Sequence, residues 1–543
     1  MSSNSNVSDS ATQAGDTDGA PPAKRPMTNG DSTTLQTNPN PNTQLVRMIC
    51  QDLQSDIVNF TGFRNFFINC VPNYTLPSRQ DVLEKLIPEE YSKEKIKLKE
   101  NLKSVDDLAI SIEVWRWDNG QAGHIKMWSL TIHFIHQDQY VSQNLFTLEQ
   151  KSNVTEIAKE IKTALIDWEI LDKVVCFVIQ KVHSNKPNLQ LAVTKELKIP
   201  HMYCAASAIN QVVQDGLQYI YVTKEFPKRY AQLLKFTRNS EYVFSWHQYY
   251  ADLLNLKTGP QRGCVVINSK DYSNLNECLQ ILKHFETWTN TLSGMHYTNL
   301  SKLLTLLDLL KFQIKSSSAS TDMVKEFKQI ILTAFQSNFE SNDHNFAEKA
   351  SFMDPTYKDK SIIYTTNGVK DYGYITITDE LYQRVMSMKQ DAGTQSLQNI
   401  PDLHTPGPSS SHSVTVDQAV PRGLPTAELL LDFLNEKERT REFRMVLYYK
   451  NLLIHETVDP FMFWKMYRLR YLNNNPDPTV REFYKMSQKY LCIPATAVPV
   501  ETIPGEFLWA KTPNEKLYNE RRERLPHEKI SEILFLHHKY LRN

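Results

Sequence analysis

The spacing of apolar and polar residues changes several times along the chain, and each change marks an element. Residues 44–70 and 80–104 carry helical patterns. Ile110, Ile112 and Val114 then alternate with Ser111, Glu113 and Trp115, the period-two signature of a strand. Trp128, Leu130, Ile132, Phe134 and His136 mark the inward positions of a second strand, and residues 140–150 read as a third. Val154, Ile157, Ala158, Ile161, Leu165 and Trp168 return to helical spacing on one face. Lys173 precedes an unbroken apolar run, Val174 to Ile179, which predicts a central strand buried on both sides. A short strand near 201–205 and a helix at 206–220 follow. The whole predicts an α/β fold with a mixed sheet. From 221 to roughly 480 the pattern is mostly helical, as in Leu303, Leu304, Leu306, Leu307, Leu309 and Leu310 or the amphipathic stretch Met323–Phe339. Residues 460–543 are aromatic-rich and again helical.

Two stretches stand apart in composition. Residues 1–43 are rich in Ser, Thr, Asn, Asp, Pro and Gly, with no aromatic before Phe60. Such a segment buries too little apolar area to offset its ordering entropy, which predicts a disordered tail. Its Ala-Lys-Arg-Pro (23–26) reads either as a nuclear import signal or as two ordinary basic residues in a polar tail. Residues 389–425, with Thr-Pro-Gly-Pro-Ser-Ser-Ser-His-Ser at 405–413, read as a disordered loop. The chain of 543 residues carries 61 Lys+Arg against 61 Asp+Glu, which excludes nucleic-acid coating by bulk charge while leaving local basic faces open. Its 7 cysteines are scattered and form no C-x-x-C pair, so a reducing compartment is expected. No apolar run approaches the roughly 18 residues of a membrane span.

Familiar catalytic signatures are missing: there is no G-x-S-x-G, no phosphate-binding G-x-x-x-x-G-K and no G-x-G-x-x-G. His455-Glu456 lacks the second His of a zinc-protease helix. His133 and His136 fall on opposite faces of their strand. His537-His538 read as two polar residues on a terminal helix. No metal or cofactor is expected. Three basic runs are candidates for phosphate contact: Lys93, Lys95, Lys97, Lys99 and Lys103; Arg439, Arg441 and Arg444; and Arg521, Arg522 and Arg524. Each is interleaved with Glu, so a solvated helix face reads equally well.

The order of motifs resembles the hAT superfamily of transposases. Val-Pro-Asn-Tyr-Thr-Leu-Pro-Ser-Arg (71–79), after Phe63–Phe67, is similar to its entry segment, and Leu130–Ile135 to a later strand. Trp168 before Lys173-Val174-Val175, and Cys204 through Asp215-Gly216-Leu217, are similar to the central strand and its helix. Leu292-Ser293-Gly294 with Tyr297, and Phe352-Met353-Asp354-Pro355 with Tyr357-Lys358, resemble parts of the helical insertion. Asp459-Pro460 with Trp464, and Tyr490 through Thr496, resemble the C-terminal dimerisation segment. Arg521, Arg522, Leu525 and Leu534–His537 close the series. The resemblance implies an RNase H-like sheet interrupted by a large all-helical insertion. It divides the chain into a tail (1–43), a helical N-terminal segment (44–104), the first part of the core (105–220), the insertion (221–388), a loop (389–425) and a final part (426–543) holding the end of the insertion, the last core helices and the dimerisation segment. The BED zinc finger usual in the family is missing, since residues 1–49 contain neither Cys nor His.

The resemblance also implies a DNA-cutting site of three carboxylates and two divalent metals. Its first position reads Glu113 here, followed by Val114-Trp115-Arg116. Its second, an Asp-Asn pair, reads Gln180-Lys181. Its third reads Glu501, with Pro504 close behind. A neutral amide replaces a bridging carboxylate poorly, and an ammonium beside it repels a dication. The expectation is a catalytically dead, transposase-derived nuclear protein. Phe461, Phe463, Trp464, Tyr467 and Tyr471 are the dimerisation candidates, and Lys93, Lys95, Lys97, Lys99, Arg521 and Arg522 the DNA-binding ones. Expected partners are a copy of itself or a hAT-like relative, nuclear or chromatin proteins, and DNA. A DNA-binding transcription regulator and an active transposase with a displaced ligand stand as alternatives.

Overall fold

The computed structural model describes residues 40–71, 74–118, 124–149, 153–179, 189–222, 269–293, 300–340, 345–358, 372–397, 441–452, 458–473, 477–497, 521 and 525–541. The segments 1–39 and 398–440 lie outside them, as do Gln180, Lys181, Glu501, Arg522 and Arg524.

One five-stranded sheet organises the chain, in the order β3-β2-β1-β4-β5. Strands β1 (Leu108–Asp118), β2 (His124–His136) and β3 (Gln139–Glu149) form an antiparallel meander. β4 (Val174–Ile179) and β5 (His201–Tyr203) then run parallel to β1. The turn between β2 and β3 places Gln137 and Asp138 at φ of 51° and 61°. Left-handed residues at both turn positions match the twist of the strands they join. The mixed sheet and the two-sided burial of β4 agree with the sequence pattern.

Both faces of the sheet are covered. On one, Ile110, Ile112, Leu130, Ile132, Phe134 and Phe177 pack with α1 (Pro41–Asp52), α2 (Thr61–Cys70) contributing only Phe63 at the margin. The same core takes in α3 (Ile87–Lys103) and α4 (Val154–Asp167). On the other face, Ala109, Cys176 and Val178 meet the helical tract. Helix α5 (Leu189–Leu197) stays with the first core through Ala192, Val193 and Leu197, and the tract comprises α6 (Ala205–Val222), α7 (Ser269–Ser293), α8 (Leu303–Ser316), α9 (Asp322–Phe335), α10 (Asn345–Met353) and α11 (Tyr372–Leu397). It continues through α12 (Arg441–Asn451), α13 (Pro460–Tyr467, prolonged by a π-turn Arg468–Leu472) and α14 (Pro478–Leu491). The last helix, α15 (Ile530–Leu541), crosses back to the first face, where Gln143 donates to the Phe535 carbonyl at 2.7 Å. No helix among the described residues is long and apolar enough to cross a membrane.

Several boundaries differ from the sequence reading. Helix α1 begins at Pro41, inside the expected tail. The single helix read over 44–70 is two, because Leu53 turns left-handed at φ 50° and the chain breaks until Thr61. Helix α11 runs on to Leu397, nine residues into the expected loop; Lys389, Gln390 and Ala392 are good helix formers and carry it on. His537 and His538 are 2% and 4% exposed, so they belong to the core rather than to a polar face. They are inward because α15 is wedged between β3 and α1.

The Phe352–Lys358 and Asp459–Trp464 segments of the helical tract meet in one knot. Trp464 donates its indole N–H to the Met353 carbonyl at 2.8 Å, and Thr356 reaches the Val458 carbonyl at 3.1 Å. The ammonium of buried Lys358 caps the end of α12, donating to the carbonyls of Tyr449, Lys450 and Leu452 at 2.7, 2.8 and 2.5 Å. A cation among the last carbonyls of a helix satisfies acceptors that have no intrahelical donor. Asp459 caps α13 by accepting from the Phe461 N–H at 3.0 Å, and Pro460 fills the first helical position.

Candidate functional site

Alternation along β1 puts Ser111, Glu113 and Trp115 on one face. Glu113 pairs in register with Ser129 and is 6% exposed, so its carboxylate lies inside a row of buried polar side chains. Trp115 Nε1 donates to Ser129 Oγ at 2.8 Å, and the Ser129 and Thr147 hydroxyls bond at 2.9 Å. Two residues upstream, Ser111 Oγ lies 2.7 Å from His133 Nε2, and His133 Nδ1 lies 2.7 Å from the Tyr140 hydroxyl. Hydroxyl, imidazole and phenol are thus aligned as in an activated nucleophile. Ser111 is only 3% exposed, however, and the chain of bonds ties β1, β2 and β3 together. His136 points away, 3.4 Å from Ser104.

The parallel ladder between β1 and β4 extends to Ile112 beside Ile179, and Gln180 follows outside the described residues. Glu501 lies outside them too. The chain leading to it passes the start of α6: the Ala205 N–H donates to the Ala495 carbonyl at 2.9 Å, and the Ala497 N–H to Cys204 Sγ at 3.2 Å. Ser207 donates to the Cys204 carbonyl at 2.8 Å and is buried. Among the described residues no group of three or more His, Cys, Asp or Glu side chains could hold a metal ion. Of their cysteines Cys70 alone is exposed, and burial pushes the others up, Cys278 to about 12.

The lysine row on α3 is engaged within the chain. Lys93 pairs with Glu90 at 3.4 Å, Lys97 with Glu94 at 2.5 Å and Lys95 with Asp167 at 3.0 Å, while Lys99 donates to the Asp167 carbonyl. Lys95 and Lys99 also sit over the Trp168 ring, 5.0 and 5.9 Å from its centroid. The hydrogen bond from Lys95 holds the Asp167 carboxyl below its ordinary range. Arg521 donates to the Asp52 carbonyl at 2.8 Å.

The aromatic set of α13 divides by side. Phe461 and Trp464 are buried, 7% and 1% exposed. Phe463, Tyr467 and Tyr471 are half-buried; the Tyr467 and Tyr471 rings meet tilted, with centroids 5.0 Å apart, and burial pushes the Tyr467 phenol up. The outward positions are Met462, Met466 and Leu469, exposed by 54%, 57% and 40%. Their i, i+4, i+7 spacing was visible in the sequence but was masked by the denser aromatic signal. A clamp fixes this helix to the sheet. Arg468 grips Asp138 with two nitrogens, and the Tyr484 hydroxyl donates to the same carboxylate at 2.7 Å. Burial would raise the Asp138 carboxyl, but these bonds outweigh it and hold it low.

A second charged junction lies near the start of β1. Lys349 and Lys489 reach Glu380 at 3.0 and 2.7 Å, Arg384 joins at 3.2 Å, and Tyr490 donates to it. Glu380 is stripped of water, yet the two lysines more than compensate and keep its carboxyl well below the usual range. Asp107, just before β1, goes the other way: burial raises it against the pull of Lys489 and Arg384. Asp107, Lys349, Glu380, Lys489 and Tyr490 line a cleft of about 370 Å³ together with Lys173. No family model and no curated protein matches the chain.

Proposed function

We propose that the chain is a transposase-derived, non-enzymatic nuclear protein that works by contacting other proteins. One observation carries this reading: the helix Pro460–Leu472 buries one apolar side and turns a second apolar stripe, Met462, Met466 and Leu469, to water. A contiguous apolar stripe left exposed marks a contact surface. The buried side, through Phe461 and Trp464, holds the helix to the body. The open side is available to a second protein, whether a copy, a relative or another nuclear or chromatin component.

An RNase H-like scaffold is supported by the mixed sheet and by the return of the chain to it. Ala497 bonds to Cys204 across 293 residues of mostly helical sequence, as a core interrupted by an insertion requires. The loss of nuclease chemistry rests on Gln180 and Lys181. Two dications roughly 3.5–4 Å apart need anionic bridging oxygens, and an amide next to an ammonium supplies none. The expected outcome is that purified protein with manganese leaves hairpin and transposon-end DNA intact. Cleavage that disappears in Glu501→Ala overturns the proposal.

A further inference from the structure

Resting on the reading that the chain works through protein contacts, we infer that the outward stripe of α13 takes an acidic amphipathic helix from a partner protein. Met462, Met466 and Leu469 recur at i, i+4 and i+7, the anchor spacing by which one helix beds on another. The stripe cannot turn inward. Trp464 on the opposite side is bonded to the Met353 carbonyl, and Arg468 in the following turn is bonded to Asp138. Methionine suits such a surface, because its unbranched, polarizable side chain adapts to the shape laid against it.

Charge selects the kind of helix. Between Asp459 and Asp477 the chain contains Lys465, Arg468 and Arg470 and no Asp or Glu. Arg468 is committed to Asp138; Lys465 and Arg470 are exposed beside the stripe. A second copy docked stripe to stripe would set these cations against their own images, since a two-fold contact brings the same patch to both sides. A partner with Glu or Asp flanking its apolar positions meets complementary charge instead.

The test uses the full chain and two fluorescent synthetic helices that share Leu at i, i+4 and i+7. One carries Glu at the flanking positions and the other Lys. The acidic helix should bind saturably, more weakly as salt rises, and about tenfold more weakly to the double variant Met462→Ser, Met466→Ser. Lys465→Glu with Arg470→Glu should reverse the preference between the two helices. All four side chains are exposed, and unchanged circular dichroism checks that the variants fold. Equal binding of both helices, or no saturable binding, overturns the inference. So does competition by a DNA duplex, or a dimer in light scattering that the Met variants dissociate. The manganese assay decides the underlying reading separately, whichever helix binds.

Discussion

Asp138 combines three constraints in one side chain. It occupies a left-handed turn position, it lies inside the protein, and it accepts from both Arg468 and Tyr484. Asp138→Ala removes the acceptor and leaves two donors without it. The expected loss is about 2 kcal/mol in urea unfolding, the range for hydrogen bonds to charged groups. Because the folded carboxyl is held low, the clamp contributes fully above the ordinary carboxylate value of about 3.9. Its contribution drains away as pH falls from there through the depressed folded-state value. The variant and the parent should therefore converge in stability on acidification; a gap that persists in strong acid counts against the clamp. None of this was legible beforehand. Asp138 reads as an ordinary turn residue, and its partners lie 330 and 346 residues away.

At the scale of elements, local periodicity found the strands and missed what stops or prolongs helices. The three-strand meander, α4 and β4 followed directly from spacing, because each is packed against a face that demands one period. Leu53 gives no compositional sign that it breaks a helix, and the partner of Lys95 and Lys99 is Asp167, 72 residues from Lys95. Seen in one dimension, that row looks free to meet phosphate; in the fold it secures α3 to the end of α4. Close crossings are similarly hidden. At Gly373 in the first turn of α11, an added Cβ would lie 2.7 Å from the Glu348 carbonyl oxygen of α10, whereas nothing lies within 4 Å of such a Cβ at Gly62 in α2. Gly373→Ala should cost about 1–3 kcal/mol, since backbone must move. Gly62→Ala should be neutral or stabilise by up to about 1 kcal/mol through helix propensity. Thermal or urea unfolding of the pair checks both, and equal effects would mean the crossing has slack.

Across the whole molecule, the sheet is shared between two cores, and α15 completes the first. Ile533, Leu534, Phe535 and Leu536 are each no more than 2% exposed. A chain ending at Leu525 would bare the apolar surface they cover on β3 and α1. Losing these four buried side chains, at roughly 1.5–3 kcal/mol each, is comparable to the margin of about 5–15 kcal/mol that holds most domains together. The truncated chain should bind a hydrophobic dye strongly and lose its cooperative melting transition; a sharp transition near that of the full chain would show that the first core closes without α15.

The adjacency of α1 and α15 also fixes a timetable. Gln51 donates to the Tyr540 carbonyl at 2.9 Å across 489 residues. Ribosomes add about 5–20 residues per second, so α1 waits roughly 25–100 s for its neighbour to be made. Throughout that interval the nascent protein presents an unfinished apolar seam, so the first core closes only once the last helix has been made.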